Sequence, residues 1–398
     1  MISTVHLAIF TIILGLVLIL RTFTNKGTNP SPGPKGKFLI GNLFDLPSSG
    51  AQEWLHWLKH KDLYGTLLSS SVLEKNSIKH SSQPHLVFAG ELAAWGKLVP
   101  SQDNTPLLRA YRRAITRVIG ARESAAKFNG LIELEARRFA CRILHTPEKF
   151  LDHNRTASGA FILTITYGYN IDGGAGDTTT AILEGFFLAM MLFPDVQRKA
   201  QAEMDELFGK PALPSTTDRE RLPYVNAIVK EATRWLTVVP LGIPHRTDQD
   251  DIINGYLIPK NTIIVPNTWS FNNDPTIYPN PRDFEPERFL SKPGALEPGD
   301  VSFGFGRRVC PGRLIGETSI FLIIAHILAI FDIRKPAENG EEIKSTLDST
   351  AGLLIHLVPF NASITPRSRE HEQLMLISRK RILLKPATRR SWQMSIIN

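Results

Sequence analysis

The sequence predicts a mainly α fold. Apolar residues recur at helical spacing in residues 52–64, where Trp54, Leu55, Trp57, Leu58 and Leu63 share a face, and again in 107–120, 131–144 and 157–166. Two more apolar helices are expected further on, one carrying Ile182, Leu183, Phe186, Phe187, Met190 and Met191, the other Leu314 through Ile324. With 42% hydrophobic residues in 398, the chain can build a substantial core, which excludes a disordered class. Cys141 and Cys310 lie far apart and make no disulfide framework; a reducing compartment fits them better. The net charge of +8 suits nucleic acid, an anionic membrane or an acidic protein. No nucleic-acid-binding motif accompanies it, which favours the last two.

Taken in order, the chain opens on an apolar run, residues 7–20, broken only by Thr11 and Gly15. Extended back to Met1 it reaches the roughly 20 residues that span a bilayer. No charged segment precedes it and no small-x-small cleavage site follows, so an uncleaved anchor over 1–21 is expected. Arg21 and Lys26 place the remainder in the cytosol by the positive-inside rule. The glycosylation sequons at Asn154 and Asn361 then carry no sugar. Segment 22–45 holds Pro30-Ser31-Pro32-Gly33-Pro34, a stiff linker that cannot join a helix.

The stretch that organises the rest is Phe303-Gly304-Phe305-Gly306-Arg307-Arg308-Val309-Cys310-Pro311-Gly312. Gly306 and Gly312 permit backbone angles and close approaches that a Cβ would block. Cys310 precedes an apolar helix, where the helix dipole and Arg308 are expected to favour the thiolate, the metal-ligating form. A lone cysteine is more often a buried structural residue. Here the spacing of its neighbours decides otherwise.

Phe303, Gly306, Arg308, Cys310 and Gly312 fill the pattern Phe-x-x-Gly-x-Arg-x-Cys-x-Gly, which resembles the haem-binding loop of the cytochrome P450 family. The resemblance implies haem b held by the Cys310 thiolate, with Arg308 on a haem propionate and Phe303 shielding the sulfur. It implies a fold that is mainly α with small β-sheets. Gly174 through Thr179 are similar to the oxygen-binding kink of the family's central helix, with Ala175 where a glycine is usual. Asp177 and Thr178 would there deliver protons to the oxygen being cleaved; read alone, the pair is equally a helix cap. Glu231 and Arg234, with Arg288 in Pro286-Glu287-Arg288-Phe289, look like the family's buried Glu–Arg–Arg network. Arg112 holds the arginine position of a Trp-x-x-x-Arg propionate motif, and Leu108 replaces its tryptophan. His245 is similar to a second propionate contact; a satisfied loop histidine is the equal alternative. The proline segment is similar to the hinge that orients the family's catalytic domain on the membrane.

Two family segments have no room here. After Gly65 a strand pair and a helix start are missing, and between Tyr167-Gly168 and the kink the helices that roof the substrate pocket are missing. The expected organisation is an anchor over 1–21, a hinge over 22–45, a shortened catalytic domain over 46–370 and an atypical basic tail over 371–398 without clear periodicity. The resemblance implies a monooxygenase of the endoplasmic reticulum membrane, single-pass with a cytosolic catalytic domain. It would insert one atom of O2 into an apolar small molecule of secondary metabolism, with NADPH-derived electrons from a membrane-bound flavoprotein reductase. Arg307, Arg308 and Arg313 would form a basic patch where an acidic reductase docks. The alternative is a truncated, non-catalytic haem binder or a defective gene product.

Overall fold

A computed structural model describes residues 31–37, 41–64, 70–85, 87–167, 177–290, 297–338 and 347–384, together with 13, 15, 341 and 342. Apart from Ile13 and Gly15 the expected anchor lies outside the described residues, as do Gly174–Gly176 of the expected kink.

Among the described residues, ten of the α-helices carry the architecture. They are α1 (Glu53–Tyr64), α2 (Ser70–Lys75), α3 (Pro106–Ile115), α4 (Asn129–His145), α5 (Phe150–Tyr167), α6 (Asp177–Leu192), α7 (Pro194–Phe208), α8 (Pro223–Trp235), α9 (Arg313–Ile330) and α10 (Arg369–Leu384). Thr105 starts α3 by accepting the Leu108 N–H at 3.2 Å, and Pro106 occupies the first turn, where no N–H is needed. The periodicity expected to run to Gly120 passes instead into a wider helical turn, Thr116–Gly120.

The core sits where α4, α5, α6, α8 and α9 meet. From Ser319 to Ile330 every residue of α9 is buried. A helix that is apolar all round must be enclosed by protein or lipid. Although α9 is long and apolar enough to cross a membrane, 72% of it is buried inside the protein, which makes it a core helix. Phe187 of α6 ties the layers together, its ring 5.0 Å from Phe150 of α5 and 6.4 Å from Phe139 of α4.

Sheet is scarce. The described residues hold four two-stranded antiparallel sheets. In one, β1 (His245–Arg246) pairs with β4 (Ile263–Ile264); in another, β2 (Asp251–Ile253) pairs with β3 (Tyr256–Ile258). Strand β5 (Phe331–Arg334), directly after α9, pairs with β6 (Ser363–Pro366).

Residues 168–176 alone join α5 to α6, so no helix pair stands between them. The stretch read as a tail without periodicity begins instead as α10, which packs on α4 with Met375 fully buried. Its inward residues, His371, Leu374, Met375, Ser378 and Ile382, are interleaved with exposed charge, which hid the stripe from a hydropathy reading. Asn154 is 0% exposed, so its sequon is out of reach in the folded chain, whereas Asn361 is exposed.

Candidate active site

Three elements shape the loop that ends in Cys310. Gly304 and Gly306 adopt φ of 80° and 52°, left-handed angles that suit glycine. A Cβ on Gly306 would lie 2.5 Å from Ser77 Cβ and 2.9 Å from the Leu73 carbonyl, so the glycine lets α2 and the turn after it dock against the loop. There Gly306 N–H donates to Glu74 Oε1 at 2.7 Å. The loop closes on itself where Cys310 N–H donates to the Phe303 carbonyl at 2.7 Å, and α9 begins three residues later. Phe303 packs under the first turn of α9, its ring 5.7 Å from the Arg313 guanidinium.

Cys310 is exposed at its surface, yet protein crowds the rest of the sulfur. Burial pushes its thiol up, and the Gly312 N–H and the charge of Arg112 offset only part of that rise. Two expectations are corrected here. Loop geometry alone does not favour the thiolate, because desolvation outweighs the local dipoles; that form needs a cation at the sulfur, which deprotonates a ligating thiol outright. The nearby guanidinium is also Arg112 of α3 rather than the adjacent Arg308.

Arg308 turns away to bond carbonyls, with Nε on Ser81 O at 2.6 Å, Nη1 on Val99 O at 3.5 Å and Nη2 on Gln102 O. Burial and neighbouring Arg112 push it down to about 10. Arg112 donates to the Val309 carbonyl at 2.6 Å, pinning α3 beside the cysteine. Leu108, in the place of an expected tryptophan, is 2% exposed and packs inward with no polar atom to offer. His245 is buried with Nδ1 2.6 Å from the His80 carbonyl; burial lowers its pKa, and the charge of Arg308 lowers it further. The fold thus gathers Cys310, Arg112, Arg308 and His245, which arrive from three separate parts of the chain.

The expected basic patch is only partly formed. Arg313 is neutralised by Asp300 at 2.9 Å and Glu317 at 2.8 Å. Arg307 instead joins Arg109, Arg112, Arg113 and Arg117 around a cavity of about 450 Å³ that no acidic residue lines. The spacing in α3 and the turn after it could have exposed this, since 109, 113 and 117 recur every four residues.

Glu231 and Arg234 of α8 are both 0% exposed. Arg234 Nε and Nη2 grip Glu231 Oε2 and Oε1 at 2.7 and 2.8 Å, and its remaining N–H groups reach the Asn272, Pro281 and Asp283 carbonyls. Arg288 Nε adds a bond to Glu231 Oε1 at 3.2 Å, and the Glu285 N–H adds one at 2.9 Å. Asn272 continues to Ser302 Oγ at 3.3 Å, one residue before Phe303. The network therefore reaches the cysteine loop.

Asp177 and Thr178 open α6 and are exposed. Their helix packs against α9, which follows the cysteine loop. Neither makes a hydrogen bond to that loop among the described residues.

A model of the cytochrome P450 family matches residues 169–362. The chain is similar to the cytochrome P450 monooxygenase claR of Ampulloclitocybe clavipes, 32% identical over 492 residues that cover 91% of each protein. This chain belongs to the cytochrome P450 family. It is also similar to cytochrome P450 monooxygenase 208 of Postia placenta, at 31% identity over 86% of this chain and 91% of that one. Among solved structures, a zebra fish cytochrome P450 with abiraterone has the same fold, with a TM-score of 0.68 at 21% identity, covering 79% of this chain and 100% of that one.

Like the family, this cytochrome P450 is a haem-thiolate monooxygenase whose cofactor is haem b. The residues present fit that group. An accessible sulfur sits at the rim of a glycine turn with a backbone N–H directed at it. Among the described residues Arg308 gives three of its five N–H donors to carbonyls, and the remaining two are of the kind that an anion would accept. The match to claR runs over 492 positions, more than the 398 residues of this P450, so it spans gaps opposite this chain.

Proposed function

We propose that Cys310 is the haem ligand of this P450 and that the enzyme oxidises an apolar small molecule of fungal secondary metabolism. One observation carries the reading: an exposed cysteine in a glycine-shaped loop, with Arg112 brought beside it and His245 brought to its neighbour Arg308, each from a distant segment. Bound haem supplies the cleavage of O2, one atom entering the substrate and the other leaving as water. In this chain, Arg112, Arg308 and His245 hold the propionates, Phe303 covers the sulfur side, Gly306 lets α2 dock against the loop, and Gly312, with an ordinary φ of −89° and room for a Cβ, serves through its N–H on the sulfur. Asp177 and Thr178 hold and pass protons at the start of α6, where their exposure gives them access to water. Glu231, Arg234 and Arg288 keep the loop in place.

Electrons come from an NADPH-dependent reductase, and the arginine-lined cavity of α3 and Arg307 is where its acidic surface docks. The domain organisation is a bilayer anchor over 1–21, a hinge over 22–45 and a shortened catalytic domain that extends through α10, on the cytosolic face of the endoplasmic reticulum membrane. Removing residues 1–25 is expected to move the protein from the membrane pellet to the soluble fraction. Retention in the pellet would implicate another apolar surface.

The short link over 168–176 leaves no helices to roof the pocket. An open site admits water, and uncontrolled protons release reduced oxygen before it reaches substrate. The test is to purify the protein, record the carbon monoxide difference spectrum of the reduced form, and measure peroxide against product with purified reductase. The expected result is a thiolate-type spectrum with most NADPH electrons recovered as peroxide. Efficient coupling would show that another segment covers the site.

A further inference from the structure

After α2 the chain runs on as a strap, residues 76–83, in which five successive carbonyls all accept hydrogen bonds. Lys79 O accepts the Asp248 N–H at 2.8 Å, and Ser82 O accepts the Arg246 N–H at 2.7 Å. Gln83 O accepts from Arg246 Nε at 3.0 Å. The other two, His80 O and Ser81 O, accept from His245 Nδ1 and Arg308 Nε, each at 2.6 Å. A carbonyl can only accept, so Nδ1 of His245 carries the proton and Nε2 is the nitrogen left for a further partner. The two side chains read above as propionate contacts thus take their aim from adjacent carbonyls of one strap.

Sheet pairing does little to fix that strap. Among the described residues it makes one isolated bridge, Ser82 to Arg246. Its second fixed point is Asp251 of β2. The hairpin of β2 and β3 is closed by Asn254 and Gly255 at φ of 51° and 81°, the left-handed pair that a two-residue turn requires. On that rigid base the Asp251 side chain is only 4% exposed and takes three bonds from the strap. Lys79 Nζ donates to Oδ1 at 2.5 Å, while Asn76 Nδ2 and His80 Nε2 donate to Oδ2 at 2.9 and 3.0 Å. Burial raises the Asp251 carboxyl, but the bond and charge of Lys79 outweigh it and hold the group below the usual carboxylate range, so it accepts as the anion. We propose that Asp251 is a positioning residue of the haem site. It clamps the strap to the β2–β3 hairpin, so that the His80 and Ser81 carbonyls hold the His245 ring and the Arg308 guanidinium in the pose that receives the propionates. The clamp rests on the reading of those two side chains given above.

The test compares Asp251→Asn with the parent as holoprotein, read as the rate of haem transfer to excess apomyoglobin and as the propionate bending band of the resonance Raman spectrum. Asparagine keeps the size but loses the charge and one acceptor oxygen. Haem loss should speed up by about ten- to a hundredfold, the range that loss of an outer-shell partner costs at metal sites, and the propionate band should shift. In a His245→Ala background Asp251→Asn should add less than it does in the parent, because both act through one chain of contacts. Asp274→Asn is the control. It also breaks a lysine pair on a carboxylate of low exposure, with Lys61 at 2.7 Å, and neither residue bonds to the strap among the described residues. It should leave both readouts at parent values. A band that moves in His245→Ala but not in Asp251→Asn would overturn the clamp. A band unmoved in both would overturn the reading of His245, and the clamp with it. Equal acceleration of haem loss in Asp274→Asn would show general loosening and overturn the positioning role. Should Asp251→Asn yield no holoprotein, Lys79→Ala removes a single bond at the part-exposed end of the clamp. It should shift the same band, and no shift there would overturn the proposal.

Discussion

Cys310→Ser is expected to abolish the thiolate-type haem spectrum and all NADPH-dependent turnover. Cys141 is the only other cysteine and cannot substitute. It sits on α4 against α10, its sulfur 4.0 Å from the Met375 carbonyl, and burial pushes its thiol up. A serine hydroxyl at position 310 keeps the loop, because the bond that closes it runs from the residue 310 N–H to the Phe303 carbonyl. The variant should therefore fold, with α9 intact by circular dichroism, and lack only the thiolate signature. A reduced carbon monoxide spectrum unchanged from the parent would remove Cys310 from the site.

The second large effect is on folding. Glu231→Ala leaves the Arg234 guanidinium 0% exposed with no carboxylate beside it. Removing one partner of a buried pair costs about 3–5 kcal/mol, a large share of the roughly 5–15 kcal/mol that holds a typical domain folded. Arg288 and the Glu285 N–H lose the same acceptor, so the segment that leads to the cysteine loop loosens as well. The expected outcome is little or no haem-loaded protein on expression, and in any that survives a denaturation midpoint well below the parent's. Lys199→Ala serves as the control. Its pair with Glu287 is 58% exposed on the lysine side, where solvent screens the attraction to little net effect. Equal damage from the two substitutions would show that the buried network is not what holds the loop.

Much of this site could be read directly from the chain. The pattern from Phe303 to Gly312 is local, its residues meeting within a single turn, and the Glu231–Arg234 pair is set by one turn of a helix. The helices were legible wherever an apolar stripe was long, as in α4 and α9. They were not legible where charge interrupts the stripe, as in α10, whose inward residues are chosen by the surface of α4. The partners of Arg308 escaped the reading too. Adjacency to Cys310 suggested support for the sulfur, but the side chain reaches carbonyls of residues 81, 99 and 102.

By itself the sequence determined the family, the cysteine loop as a motif and the Glu231–Arg234 pair, because each is written in neighbouring or helically spaced residues. Only the tertiary structure decided which cation stands by the sulfur and which arginines are left unneutralised. Those outcomes depend on desolvation and on contacts between segments a hundred or more residues apart in the chain, as with Arg112 and Val309, and such contacts exist only once the helices have packed.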